Sequence, residues 1–158
     1  MSQQNIQILL QRIGQQVGIP DLGLDDDDTC QIRIDSTRDI ALEFLPSSEQ
    51  LILTAYCGQL PARQRTAILE QISDANFHWV GTGGGTLSTQ SESGAVYLQF
   101  REPTAQMDQP RLEQLLQALI QNAEYWGAQL AAADTAPDSA APHQQDGASS
   151  GALFDNRA

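Results

Sequence analysis

The sequence predicts an α+β fold with elements in the order α-β-β-β-α-β-β-α, a twisted antiparallel sheet packed against helices. Three observations lead there. Between Thr29 and Cys57 the runs TCQIRID, IALEFL and QLILTAYC alternate apolar and polar residues and are separated by STRD and PSSE, the pattern of a three-stranded meander. Two further alternating runs, Thr86 to Gln90 and Ala95 to Arg101, flank the turn SESG. Before, between and after these strands lie segments whose apolar residues recur at helical spacing.

Taken in order, residues 2–17 read as an amphipathic helix with Ile6, Leu9, Leu10, Ile13 and Val17 on one stripe. Ser2 or Asn5 is placed to cap its start, and Gly18 with Pro20 ends it. Ile8 falls off the stripe and is expected at the surface. In the meander, Cys30, Ile32, Ile34, Ile40, Leu42, Phe44, Leu51, Leu53, Ala55 and Cys57 share one face, which must be buried. The opposite face carries Gln31, Arg33, Asp35, Glu43 and Thr54, but also Leu45, Ile52 and Tyr56, which have no obvious partner. A second helix is expected from about Pro61 to Asn76, with Pro61 in its first turn and a wide stripe of Ile68, Leu69, Ile72, Ala75 and Asn76. On the last strand Val96, Leu98 and Phe100 face one way and Tyr97 the other.

The final helix is the clearest. Asp108 caps it, Pro110 sits in its first turn, and Leu112, Leu115, Leu116, Leu119, Ile120, Ala123, Trp126 and Leu130 follow at helical spacing. Residues 1–131 therefore form one domain. Residues 132–158 are mostly Ala, Asp, Pro, Ser, Gly and Gln, with too few apolar groups to offset ordering entropy, and read as a disordered acidic tail. Leu153 and Phe154 are its two large apolar side chains, either a short docking motif or a chance pair.

Charge narrows the partners. The 158 residues include 20 acidic and 8 basic ones, a net charge of -12, and every basic residue is Arg. Such a chain repels phosphate backbones and anionic lipid, so neither nucleic acid nor a membrane is an expected partner. No run approaches the ~20 apolar residues of a membrane span, and MSQQNIQILLQR lacks the pattern of a secretory signal. A soluble cytoplasmic protein is expected. The two cysteines agree: one strand separates Cys30 from Cys57, about 10 Å, beyond disulfide reach.

Several chemical motifs fail on spacing. Asp25 to Asp28 are four consecutive acids, without the alternate spacing, sixth-position Gly and closing Glu of a calcium loop. In HWVGTGGGTLSTQ the glycines are followed by Thr86 rather than Lys-Ser/Thr, and they do not open a helix, so neither phosphate-loop pattern is met. No G-x-S-x-G stands as an elbow between a strand and a helix, there is no Cys/His cluster, and His78 has no partner the spacing identifies. No catalytic residue, metal site or cofactor is expected.

One combination remains: GIP followed by an acidic loop, C-x-I-x-I-D, A-N-F at the end of the second helix, T-G-G-G-T-L, and A-E-x-W near the end of the last helix. Together with LLQRIGQQVGIPDLGLDDDDTCQIRID, LILTAYCGQLP, LEQISDANF, GAVYLQF and NAEYWGAQL, this series over residues 5–131 resembles the class I type III secretion chaperones of the CesT (Tir chaperone) family. The resemblance implies the same α-β-β-β-α-β-β-α fold and a homodimer. It also implies a cytoplasmic chaperone that holds the N-terminal segment of a secreted effector in extended form, while ATP hydrolysis is left to the secretion apparatus ATPase, itself a possible partner. The long tail departs from the family pattern.

Apolar residues on otherwise polar faces supply the candidate client-binding set Ile8, Leu45, Ile52, Tyr56 and Tyr97. Ile68, Trp79 and Leu87, on the second helix and the start of the fourth strand, are the candidate dimer contacts. Two alternatives stand beside this reading. One is a regulatory module of the same fold that sequesters a transcriptional anti-activator. The other is a small-molecule-binding α+β domain using the Gly83–Gly85 loop.

Overall fold

The computed structural model describes residues 3–34 and 38–135. Five antiparallel strands, β1 (Thr29–Ile34), β2 (Arg38–Leu45), β3 (Gln50–Gln59), β4 (Thr86–Thr89) and β5 (Ala95–Pro103), form one sheet in the order β1-β2-β3-β5-β4. Three helices complete it: α1 (Gln3–Val17), α2 (Arg65–Asn76) and α3 (Gln109–Thr135). The long α3 lies across β3 and β5, α1 packs on α3, and α2 packs beside β4. The expected α+β order is the observed one.

The alternation in the meander does what its period requires. Leu42, Leu51 and Leu53 are fully buried, with Ile40, Phe44, Ala55 and Cys57 beside them, and Val96, Leu98 and Phe100 continue the same face on β5. Between Tyr56 and Gly58 the register with β5 slips by one residue, a bulge that bends the strand. Gly58 sits there at φ 147°, and a β-carbon on it would meet the Leu130 side chain at 3.2 Å, so glycine lets α3 lie close to β3.

The helix ends follow local chemistry. Gly18, at φ 81°, closes α1, and the Ile19 N–H donates to the Gly14 carbonyl at 2.7 Å, the longer bond of a Schellman turn. Asp108 caps α3 by accepting the Arg111 N–H at 2.9 Å. Two expectations are corrected. Asn5 is no cap: it lies inside α1 and donates to the Met107 carbonyl at 3.3 Å, while Ser2 lies outside the described residues. The second helix begins at Arg65, not Pro61. Leu60 and Pro61 are buried, and the Leu60 N–H is still tied to the Gly94 carbonyl at 2.9 Å, so the chain reaches into the core before it turns.

The last helix also runs beyond its expected end. Residues 132–135 continue α3, and Ala133 packs against the core. The remainder of the expected tail, 136–158, lies outside the described residues, as does Asp35.

Candidate protein-binding site

The two edges of the sheet are built differently. At β1, the Phe44 N–H donates to the Asp28 carbonyl at 2.9 Å, and in that antiparallel register Cys30, Ile32 and Ile34 point their backbone groups at β2. Thr29, Gln31 and Arg33 then point theirs away from the sheet. The Asp25 carboxylate accepts the Thr29 N–H at 2.9 Å, the Thr29 hydroxyl at 2.8 Å and the Asp27 N–H at 3.0 Å, which pins the start of the strand. These bonds, the Thr29 N–H first, hold the Asp25 carboxyl below the usual carboxylate range. Among the described residues, the outward backbone groups of Gln31 and Arg33 have no hydrogen-bond partner.

Beside that open edge lies an apolar groove of about 710 Å³, lined by Ile13 and Val17 from α1, Ile19 just after it, Ile32 and Ile34 from β1, and Leu116 and Ile120 from α3. Val17 is 62% exposed, although its helical spacing predicts burial with Ile13. Ile32 and Ile34 are half-buried where the sequence pattern predicts full burial, because the helices do not cover the outermost strand. Arg33 and Glu113 stand on the rim, and Arg33 pairs with Asp39 at 2.6 Å on the opposite face of the sheet.

At β4 the edge is closed at Leu87. The Asn76 side chain donates to the Leu87 carbonyl at 3.0 Å and accepts the Leu87 N–H at 2.8 Å, standing in for one residue of a further strand. The chain between Asn76 and β4 then turns sharply, with His78 at φ 54° and Trp79 at φ 55°, a left-handed pair of non-glycine residues. It presents Phe77, Trp79 and Val80 at 72%, 55% and 84% exposure. Trp79 also shares a hollow of about 450 Å³ with Ile52, Thr86, Gln99 and Arg101.

The glycine loop is structural. Trp126 donates its indole N–H to the Gly81 carbonyl at 3.0 Å, and the fully buried Thr82 donates its hydroxyl to Gly85 O. A β-carbon on Gly83 would strike the Asn122 side chain at 2.4 Å. The loop's polar groups are turned toward α3 and toward one another.

The sequence-derived candidates divide by location. Ile52, Tyr56 and Tyr97 are half-buried on the sheet face opposite the core; the two tyrosine rings meet edge to face at 5.7 Å, while Ile52 lies four residues back along β3, opposite Arg101. Leu45 is half-buried at the end of β2 opposite Gln50. Ile8, 41% exposed, belongs to α1 and does not join them. Of the dimer candidates, only Trp79 reaches the surface. Ile68 and Leu87 are 2% and 3% exposed, so their side chains are already covered by the chain's own core and offer no area to a second copy. The cysteines are buried and unpaired, separated by β2 as expected. Burial raises both thiols, Cys57 to about 11.

Sequence reasoning missed the groove and the full Phe77–Val80 patch. Two signals were present. In α3, Leu116 and Ile120 sit beside Leu115 and Leu119, a stripe wider than one contact needs. After α2, FHWV is an apolar run too short to be an element of its own.

Residues 8–127 match the Tir chaperone protein (CesT) family. The chain belongs to that family. Solved structures agree on the fold. A chain of the ExsC–ExsE complex superposes with a TM-score of 0.71 at 24% identity, covering 81% of this chain and 95% of that one. A chain of the HopA1–SchA chaperone–effector complex gives 0.67 at 19%, covering 81% and 98%. The Yersinia pestis type III secretion chaperone SycH, solved with a stable fragment of YscM2, gives 0.62 at 15%, covering 77% and 98%. No curated protein sequence matches the chain.

In this CesT-family chain the motifs that carry the resemblance hold the two edges in place. Gly18 and Ile19 of GIP form the Schellman turn that brings Ile19 to the groove. C-x-I-x-I is β1 itself, and the Asn of A-N-F caps β4. The Trp of A-E-x-W fastens the glycine loop.

Proposed function

We propose that this CesT-family protein is a homodimeric bacterial cytoplasmic chaperone of type III secretion. It binds the N-terminal segment of a secreted effector in extended form and keeps it soluble and ready for export. The observation that carries this reading is the open β1 edge beside the apolar groove. An extended client adds its backbone to Gln31 and Arg33, and its apolar side chains enter the groove between α1 and α3. Main-chain pairing tolerates varied sequence, while the groove selects segments with apolar residues. A net charge of -12 favours basic clients and keeps the loaded complex soluble.

Ile52, Tyr56 and Tyr97 offer the continuing client a second apolar patch on the far face of the sheet, with Leu45 at its end. Ile8 offers a further contact on α1. The dimer is built on Phe77, Trp79 and Val80, whose exposure at a strained turn is relieved when a second copy covers them. The protein acts by binding and covering surface, not by making or breaking bonds.

The test is capture from the bacterium that encodes the chain, followed by titration of the captured partner's N-terminal segment. A secreted effector is expected. Ile32→Asp should weaken that segment by about 2 kcal/mol, roughly 30-fold, because a charge replaces an apolar contact. Tyr56→Asp should weaken it less. Capture of a cytoplasmic regulator that is never secreted would favour the regulatory module instead. Unchanged affinity in a folded Ile32→Asp variant would remove the groove from the reading.

A further inference from the structure

We propose that the chain's own Leu153–Phe154 segment enters the groove beside β1 and competes there with the client, so that the unloaded chaperone covers its own binding site. The inference rests on the reading of the groove as the client site, and adds its occupant in the absence of a client.

The groove is a large apolar surface for an isolated chain to leave open. Val17 is 62% exposed and Ile19 40%, with Ile32, Ile34, Leu116 and Ile120 beside them. After Thr135, where α3 ends, the sequence contains two large apolar side chains, and they are adjacent: Leu153 and Phe154. Everything around them is Ala, Gly, Ser, Pro, Gln, His or charged or amide residues. Such a background contributes little to any docking, so these two are the anchors available.

Reach and charge agree. The groove is lined on α3 by Leu116 and Ile120, and Ile120 lies about 22 Å along the helix axis from Thr135. From Thr135 to Leu153 the chain runs eighteen residues, which span at most ~60 Å when extended and average about 23 Å as a coil. A tether whose mean span matches the distance holds its end near the site at about millimolar effective concentration. At that concentration a contact too weak to last between separate molecules is populated within one, yet a client with more contacts displaces it. Arg157, three residues after Phe154, is opposite in sign to the rim residue Glu113. Among the described residues, no other exposed apolar patch combines such a rim with an open strand edge: the Phe77–Val80 patch lies beside the β4 edge closed by Asn76.

The full-length chain, labelled with nitrogen-15 and carrying a nitroxide on Ser150→Cys, reads the contact directly. Broadening of the amide signals of Ile13, Ile32, Leu116 and Ile120 is expected, and its loss in Leu153→Asp/Phe154→Asp. A fluorescent peptide copying residues 145–158 supplies a second reading. It should bind the double variant at least threefold more tightly than the parent chain, because the tethered competitor is gone, and Ile32→Asp should abolish that binding. Equal broadening in both chains, broadening at Phe77 and Val80 instead, or equal peptide affinity for both chains would overturn the proposal. Neither measurement uses an effector, so a failed client assignment leaves the result intact and the two failures are distinguishable.

Discussion

The β1 and β4 edges of this sheet face the same physical problem and meet it in opposite ways. Each ends a sheet with backbone groups that water or another chain must satisfy. At β4 the Asn76 amide bonds both the N–H and the carbonyl of Leu87, and no further strand can pair at that residue without displacing it. At β1 no side chain blocks Gln31 or Arg33 among the described residues, and the neighbouring helices leave an apolar groove rather than a lid. An open edge is an aggregation hazard unless it is used. The difference teaches that the β1 side leaves backbone groups an extended chain can pair with, as the proposed client site requires. The β4 side, blocked at Leu87, instead exposes Phe77, Trp79 and Val80, the patch on which the proposed dimer rests.

Proline substitutions give the sharpest way to break this comparison. Ile32 turns its N–H toward β2, so Ile32→Pro removes a ladder bond and should cost about 3 kcal/mol of stability. Gln31, one residue away, turns its N–H outward. Gln31→Pro should cost only about 1 kcal/mol while preventing an added strand from pairing there. Urea unfolding of both variants, with client titration of the second, checks the pair. Equal destabilisation would mean that Gln31 and Ile32 do not differ in which way their N–H groups point.

The closed edge is tested at Asn76. Asn76→Ala leaves a part-buried N–H and carbonyl of Leu87 without partners and should cost about 2 kcal/mol. Asn76→Asp keeps the acceptor for the N–H but sets a carboxylate against the Leu87 carbonyl, so it should not rescue. If chemical denaturation shows Asn76→Ala within 0.5 kcal/mol of the parent (roughly the spread of neutral surface changes), water closes that edge as well as the amide does.

These residues also show what the sequence could disclose. The buried face of the meander is legible because a period of two admits no other assignment once one face is wholly apolar. The cap of α3 is legible because Asp108 and Pro110 act within one turn. The start of α2 is not: Pro61 suits a first helical turn equally well as a core position, and the tie between Leu60 and Gly94 that decides it spans 34 residues of chain. Ile68 and Leu87 read as interface residues because an over-wide stripe reveals that it has two neighbours without naming them. Asn76 falls in the apolar stripe of α2 by spacing, and its bond to Leu87 depends on a turn at His78 and Trp79 that local pattern does not encode. The groove needs three elements brought together, none contiguous in sequence.

A smaller effect is expected at the end of α3. Truncation after Thr135 should leave stability within about 1 kcal/mol of the full chain, since it removes no described core contact. Truncation after Ala131 removes Ala133 from the core margin and should cost measurably more. Melting curves of the two truncations separate the last turn of the helix from the residues beyond it. A large loss in the first would mean that residues beyond 135 contribute more than a weak, displaceable contact.

The smallest effect concerns the pin at the head of the open edge. Asp25 accepts bonds from the Thr29 N–H, the Thr29 hydroxyl and the Asp27 N–H, and its folded pKa lies below the ordinary 3.8. A depressed carboxyl binds its proton less readily in the folded state than in the unfolded one. Its contribution is therefore complete above the ordinary value and fades as the pH falls from 3.8 through the lower folded value. Full exposure to water keeps the effect small. Asp25→Asn retains one acceptor oxygen but no charge, so its melting temperature should fall less steeply than the parent's between about pH 4 and pH 2.5 and run parallel to it above about pH 5. Asp39, lowered by its bond to Arg33, titrates in the same range in both chains and cancels in the difference. Identical slopes in the acid range would show that β1 starts where it does without help from Asp25. The open edge would then be held only by its pairing with β2.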